Sequence, residues 1–151
     1  MKKELTYEQL LVKAEDYCAL SEHCAADVME KLYAWGCRNK TDRERIIASL
    51  EDNNFLNTSR YCRAFAHDKL LYQGWGRQKI QMMLRLKHLP EEDIQDALDS
   101  IDREQYDAVL LRVLKSKLAS IKEDEFASER LLRFMTQRGF EYDKVIKAME
   151  R

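Results

Sequence analysis

Two short apolar blocks recur three times along this chain, and that recurrence restricts it to a tandem array of helices. The first block reads Val28-x3-Leu32-x4-Cys37, then Ile80-x3-Leu84-x4-Leu89, then Leu131-x3-Met135-x4-Phe140. The second reads Ile46-x2-Ser49-Leu50, then Ile94-x2-Ala97-Leu98, then Val145-x2-Ala148-Met149. Apolar residues three and four apart line one face of an α-helix, so each block marks the inward face of one helix. The blocks stand nine residues apart in the first copy and five in the other two, which predicts four extra residues in the first copy's loop, around Arg38-Asn39-Lys40. A unit of about 50 residues makes only a marginal core alone, so neighbours must share apolar surface.

Start and stop signals divide the chain into nine helices. Thr6-x-x-Gln9 and Thr41-x-x-Glu44 read as capping boxes, which open the first and third helices. Ser21 is a candidate cap for the second, which stops at Gly36. Asn57 or Thr58 starts the fourth, with Tyr61, Ala64, Phe65, Asp68 and Tyr72 expected on one side and Asp68 marking its edge. Gly74-Trp75-Gly76 breaks the chain before the fifth helix, and Pro90 suits the first turn of the sixth, whose Glu91, Glu92 and Asp93 complement the positive helix end. The seventh spans about Asp102–Ser120 with Tyr106, Val109, Leu110 and Val113 inward; the eighth spans about Asp124–Arg138, and the ninth starts near Tyr142. The expected units are 1–56, 57–101 and 102–151.

Composition agrees and excludes other classes. One Pro and four Gly are too few for the turns of an all-β chain. No apolar run approaches the ~20 residues of a membrane-spanning helix, and no signal-peptide pattern follows the charged start Met1-Lys2-Lys3, so the expectation is a cytoplasmic protein. Cys18, Cys24, Cys37 and Cys62 lack CxxC spacing and fall at apolar positions, as packed, reduced thiols do. The three histidines make no zinc spacing with them. There is no nucleophile–base signature and no glycine-rich phosphate loop. The expectation is therefore a non-enzyme without catalytic residues, metal or cofactor.

Charge is strongly segregated behind a net charge of −1. Residues 60–89 hold seven basic residues against Asp68 alone, residues 90–107 hold eight acidic residues against Arg103 alone, and residues 108–138 hold seven basic against four acidic. Such segregation concerns partners rather than fold. The candidate contact residues are Arg60, Arg63, Lys69, Arg77, Lys79, Arg85 and Lys87, extended by Arg112, Lys115, Arg130 and Arg133. Guanidiniums would pair with phosphates or carboxylates in forked hydrogen bonds, while lysines act as point charges. A merely solvated basic face, or neutralisation by the nearby acidic stretch, is the competing reading. Trp75 either stacks on a nucleic-acid base or anchors a turn in the core, and Trp35 poses the same choice.

The middle of the chain resembles a known family. Leu50-x4-Phe55-Leu56-Asn57, Tyr61-x-Arg63-Ala64-Phe65-x4-Leu70 and Gly74-Trp75-Gly76-x3-Ile80-x3-Leu84 are similar to the central repeat of RecX proteins. Leu131-Leu132-Arg133-x-Met135-x2-Arg138-Gly139-Phe140 resembles their last repeat. Thr58 stands where the family commonly has an acidic residue. The resemblance implies an all-α protein of three tandem three-helix repeats stacked into an elongated, curved array. It also implies a protein that lodges in the groove of RecA filaments and inhibits recombinase and coprotease activity; a monomer is expected, with single- or double-stranded DNA as a further partner. Against this stand a self-sufficient DNA-binding helical repeat protein, whose affinity would fall steeply with salt, and a helical scaffold without nucleic-acid contacts.

Overall fold

Capping and apolar periodicity produce nine α-helices and no strand among the described residues, 4–150, of the computed structural model. The charged start Met1–Lys3 lies outside them. The chain divides into two compact units, up to Tyr61 and from Cys62 onward.

In the first unit α1 (Tyr7–Leu20), α2 (Ala25–Ala34) and α3 (Lys40–Asp52) pack against one another. The Thr6 hydroxyl accepts from Gln9 N and the Gln9 side chain accepts from Thr6 N, so the expected capping box forms. Leu10, Ala14, Cys18, Val28, Leu32, Cys37, Ile46, Leu50 and Leu56 make the core, with Tyr17 and Trp35 at its edge. Trp35 is half-buried, meets Tyr17 edge-on and lies beneath the Lys13 ammonium, so it is held by protein contacts.

Two expected caps are corrected. Ser21 ends α1 and its hydroxyl meets His23; α2 starts after Cys24 with no side-chain cap, because the chain stays extended through Cys24. Thr41 lies inside α3, whose cap is Asn39, accepting from Asp42 N. The four extra residues of the first repeat are corrected in the same stroke. The connection from α2 to α3 spans residues 35–39, only one longer than 87–90 and 138–141, and α3 has 13 residues where its counterparts have nine and eight. Most of the insertion forms one additional helical turn. A turn takes about 3.6 residues, so Ile46 and Leu50 keep their inward phase.

The second unit takes up most of α4 (Thr58–Gln73), then α5 (Arg77–Leu86), α6 (Glu91–Asp99), α7 (Arg103–Ser120), α8 (Ala127–Gln137) and α9 (Tyr142–Met149). Most of the repeated blocks do the work that their spacing predicts: Ile80, Leu84, Ile94, Ala97, Leu98, Leu131, Met135, Phe140 and Val145 are buried, whereas Leu89, Ala148 and Met149 are only half-buried. All four cysteines are buried thiols. The inward face of α4 differs from expectation. Tyr61, Cys62, Ala66 and Leu70 are buried, whereas Tyr72 is 80% exposed; Asp68 is exposed, as an edge position is. Apolar residues surround nearly the whole of α4, so period alone could not choose its face.

Candidate functional site

One of the residues expected to bind a partner, Arg77, sits in a close joint inside the second unit. The amide of Gly76 donates to Arg138 O at 2.8 Å, and the amide of Gln78 donates to Gly139 O at 3.0 Å. Between them the Arg77 amide donates to the Tyr106 hydroxyl oxygen at 3.1 Å. A helix start leaves its first amides without intrahelical partners. Gly76 has no side chain to cap α5, so the loop between α8 and α9 and one tyrosine of α7 cap it from outside. The contact demands glycine on both sides: a Cβ on Gly76 would meet Gly139 and Phe140 backbone atoms at 2.4 Å, and Gly139 sits at φ +99°.

Tyr106 fixes this joint chemically. Its ring is fully buried and lies against Phe140, and its hydroxyl donates to the Glu141 carboxylate. Burial, followed by that hydrogen bond, pushes its phenol far above the ordinary tyrosine range. Arg77 stacks its guanidinium over the same ring at 3.9 Å and pairs with Glu141 at 3.6 Å. Arg77 is therefore a structural cation of the joint.

The other ten expected cations separate into distinct groups. Arg60, in the first unit, is locked to Glu22 and donates to Asn54 O and Phe55 O, closing the turn before α4. Arg85 grips the carboxylate of Glu91 with two of its nitrogens, which holds that carboxyl below its usual range with help from Gln95. Arg130 pairs with Asp124 at 3.0 Å and depresses that carboxyl likewise, aided by the Phe126 amide. Lys69 and Lys79 place their ammoniums 5.0 and 4.4 Å from the centre of the Trp75 ring. That ring is half-buried and also meets Phe65, so it serves the packing of the turn. Arg63, Lys115 and Arg133 are exposed and Lys87 is half-buried; among the described residues none has a carboxylate partner. Arg112 is exposed and donates to Leu71 O at 3.1 Å.

One assembly was missed by sequence reasoning. Arg112 lines an open groove of about 520 Å³ together with Lys117 and Arg138, two cations outside the expected set. Tyr72, Ser116, Ser120 and Phe134 complete most of its wall, and no carboxylate among the described residues lines it. Lys117 lies 4.6 Å and Arg138 5.3 Å from the Phe134 ring centre. The Nε of Arg138 is buried with no acceptor among the described residues. Lys117 belongs to the basic 108–138 stretch, but only the fold shows that it meets Arg138.

No group of three or more His, Cys, Asp or Glu among the described residues could hold a metal ion. No described helix is long and apolar enough to cross a membrane.

Residues 59–98 match the profile of the RecX second three-helix domain, which spans α4 to α6. The regulatory protein RecX of Clostridium perfringens (strain 13 / Type A) is 30% identical over 121 residues, covering 78% of this chain and 56% of that protein. The regulatory protein RecX of Clostridium tetani is 26% identical over 159 residues, covering 95% of this chain and 72% of that protein. The chain thus spans little more than half of the Clostridium perfringens relative. Among solved structures, a regulatory protein RecX superposes with a TM-score of 0.81 at 18% identity, over 100% of this chain and 81% of that one. RecX from Lactobacillus salivarius gives 0.77 at 16% identity, over 95% and 94%. These superpositions establish the fold: an all-helical chain built of repeated helix triplets.

Proposed function

We propose, for a chain that belongs to the RecX family, that it regulates RecA nucleoprotein filaments by binding them and inhibiting their recombinase and coprotease activities. It works without catalytic residues, metal or cofactor, as a monomer in the cytoplasm, and its units are the three triplets 1–56, 57–101 and 102–151. The observation that supports this most directly is the match of 59–98 to the RecX central domain. Within and beside that segment, Arg63, Lys69, Lys79 and Lys87 have no carboxylate partner among the described residues, although Lys69 and Lys79 lie over the Trp75 ring, and they can meet an anionic surface. Arg112, Lys115 and Arg133 add to them from α7 and α8. Arg60, Arg77, Arg85 and Arg130 are already compensated by Glu22, Glu141, Glu91 and Asp124, so they contribute less to such a contact.

The test is retention of this protein on RecA assembled on single-stranded DNA, together with a strand-exchange assay. Binding to the filament with loss of strand exchange supports the reading; unchanged strand exchange at saturating protein removes it.

A second reading, a DNA-binding protein that acts alone, is favoured by the groove of Arg112, Lys117 and Arg138. Phosphate binding predicts affinity that falls steeply with salt in the absence of RecA. No affinity for DNA at low salt eliminates it.

A further inference from the structure

We infer that the free protein self-associates head to tail, with the start of α1 in one copy seated in an apolar groove of α7, α8 and α9 in a second copy. This concerns the free protein and does not depend on the filament reading, in which a single chain acts. Each triplet opens in the same way, on an apolar residue, a capping residue and then the first helix. The three openings are Leu5-Thr6, Leu56-Asn57 and Ile101-Asp102, and each cap accepts from the amide three residues on, that of Gln9, Arg60 or Gln105. Each triplet also closes in the same way, on Leu50, Leu98 and Met149 of the second repeated block. Within the chain an opening residue meets the preceding close: the Leu56 amide donates to Leu50 O at 3.1 Å and the Ile101 amide to Leu98 O at 3.3 Å. All four of these side chains are buried.

The first opening and the last close are different. Leu5 is 36% exposed, and Ala148 and Met149 are half-buried in the wall of an open groove of about 490 Å³. Leu111, Leu114, Leu118 and Lys115 line it with them, and Leu118 is half-exposed. Terminal units of a repeat array ordinarily present a polar outer face; these present apolar side chains. The start of a first helix is what meets each internal close, and α1 is the first helix whose opening residue stays exposed. Charge agrees with this pairing. Beyond Leu5, α1 exposes Val12, which shares a shallow recess with Glu8, Lys13 and Asp16. The groove is flanked by the opposite sign: at Leu111 and Ala148 it runs on into a recess lined by Arg103, Lys144 and Lys147, where Asp107 already pairs with Lys144. An apolar face edged by carboxylates and an apolar groove edged by cations complement each other twice over. The contact uses a different surface on each copy, so every pair keeps one unused face at either end.

The experiment is sedimentation equilibrium of the whole chain, without RecA or DNA, from about 10 µM to 1 mM, the range in which a small interface operates. The wild type gives an average mass that rises above one chain with concentration and shows no plateau at two. Leu5→Glu and Met149→Glu each hold the protein at one chain. Val12→Glu and Leu118→Glu do the same from exposed positions, and circular dichroism melting verifies that both stay folded. An equimolar mixture of Val12→Glu with Leu118→Glu regains association but stops at two chains, because each variant keeps one intact face. Leu86→Glu, at another exposed leucine on α5, behaves as the wild type. A wild type that stays a single chain throughout overturns the inference, as does association that survives the α1 and groove substitutions. A mixture that remains at one chain overturns it too, because the two faces then do not meet each other. Equal loss with Leu86→Glu overturns it by reducing the rise to unspecific adhesion.

Discussion

Gly76 and Gly139 approach so closely that a Cβ on Gly76 would stand 2.4 Å from the carbonyl carbon of Gly139. Two backbone segments that far apart in sequence touch here without side chains between them. Gly139→Ala should therefore be severely destabilising, by about 2–4 kcal/mol, because its left-handed φ is strained and its new Cβ would strike the Lys79 backbone nitrogen at 2.5 Å. Gly36 shares the left-handed conformation at φ +100° but has nothing within 4 Å. Gly36→Ala should cost only about 1–2 kcal/mol. Urea unfolding of the two variants compares close approach with backbone strain directly, and equal losses would show that the joint is not tight.

Tyr106 makes the same joint sensitive to alkali. Its pKa is raised in the folded protein, first by burial and then by the hydrogen bond to Glu141. The stability due to the neutral phenol is fully present below the ordinary value of about 10 and is lost as pH rises above it. Tyr106→Phe removes the donor to Glu141 and the acceptor for the Arg77 amide, so it should cost about 1–3 kcal/mol at neutral pH. Between about pH 10 and 11 the difference from wild type should narrow. Thermal unfolding at both pH values checks the sign.

The expected cations should divide by their partners. Arg77→Glu breaks a largely buried contact with Glu141 and should destabilise by about 1–3 kcal/mol. Arg63 and Arg133 have no carboxylate partner among the described residues, so Arg63→Glu and Arg133→Glu should leave the melting temperature nearly unchanged while weakening retention on RecA filaments. Filament binding that tolerates both reversals would exclude them from the contact.

Glu91 tests whether compensation restrains Arg85. Its carboxyl lies below the usual range because it accepts hydrogen bonds from Arg85 and Gln95, so the interaction persists above the ordinary carboxylate pKa and disappears as pH falls through the lowered one. Glu91→Gln should change stability little, since both side chains are more than half exposed, and should tighten filament binding by releasing Arg85. Unchanged binding would mean that Arg85 faces away from the partner.

What the sequence made legible follows from how local the physics is. The capping box of Thr6 and Gln9, the stop at Gly36 and the buried positions of the repeated blocks, such as Val28, Ile80 and Leu131, depend on neighbours within one or two turns. The four-residue insertion was visible, but its form was not, because loop and helical turn keep the same downstream phase. Side-chain pairing was beyond reach: Arg60 finds Glu22 38 positions away, and Tyr106 finds Glu141 35 positions away. The groove was hidden for the same reason, since Lys117 and Arg138 meet only after α7 and α8 pack.

The regulatory reading rests most directly on one titration: the ATPase activity of RecA on single-stranded DNA as this protein is added. The account predicts saturable loss of activity, with Arg63→Glu and Arg133→Glu shifting the curve to higher concentration. ATP hydrolysis that continues unaltered at saturating protein would contradict it.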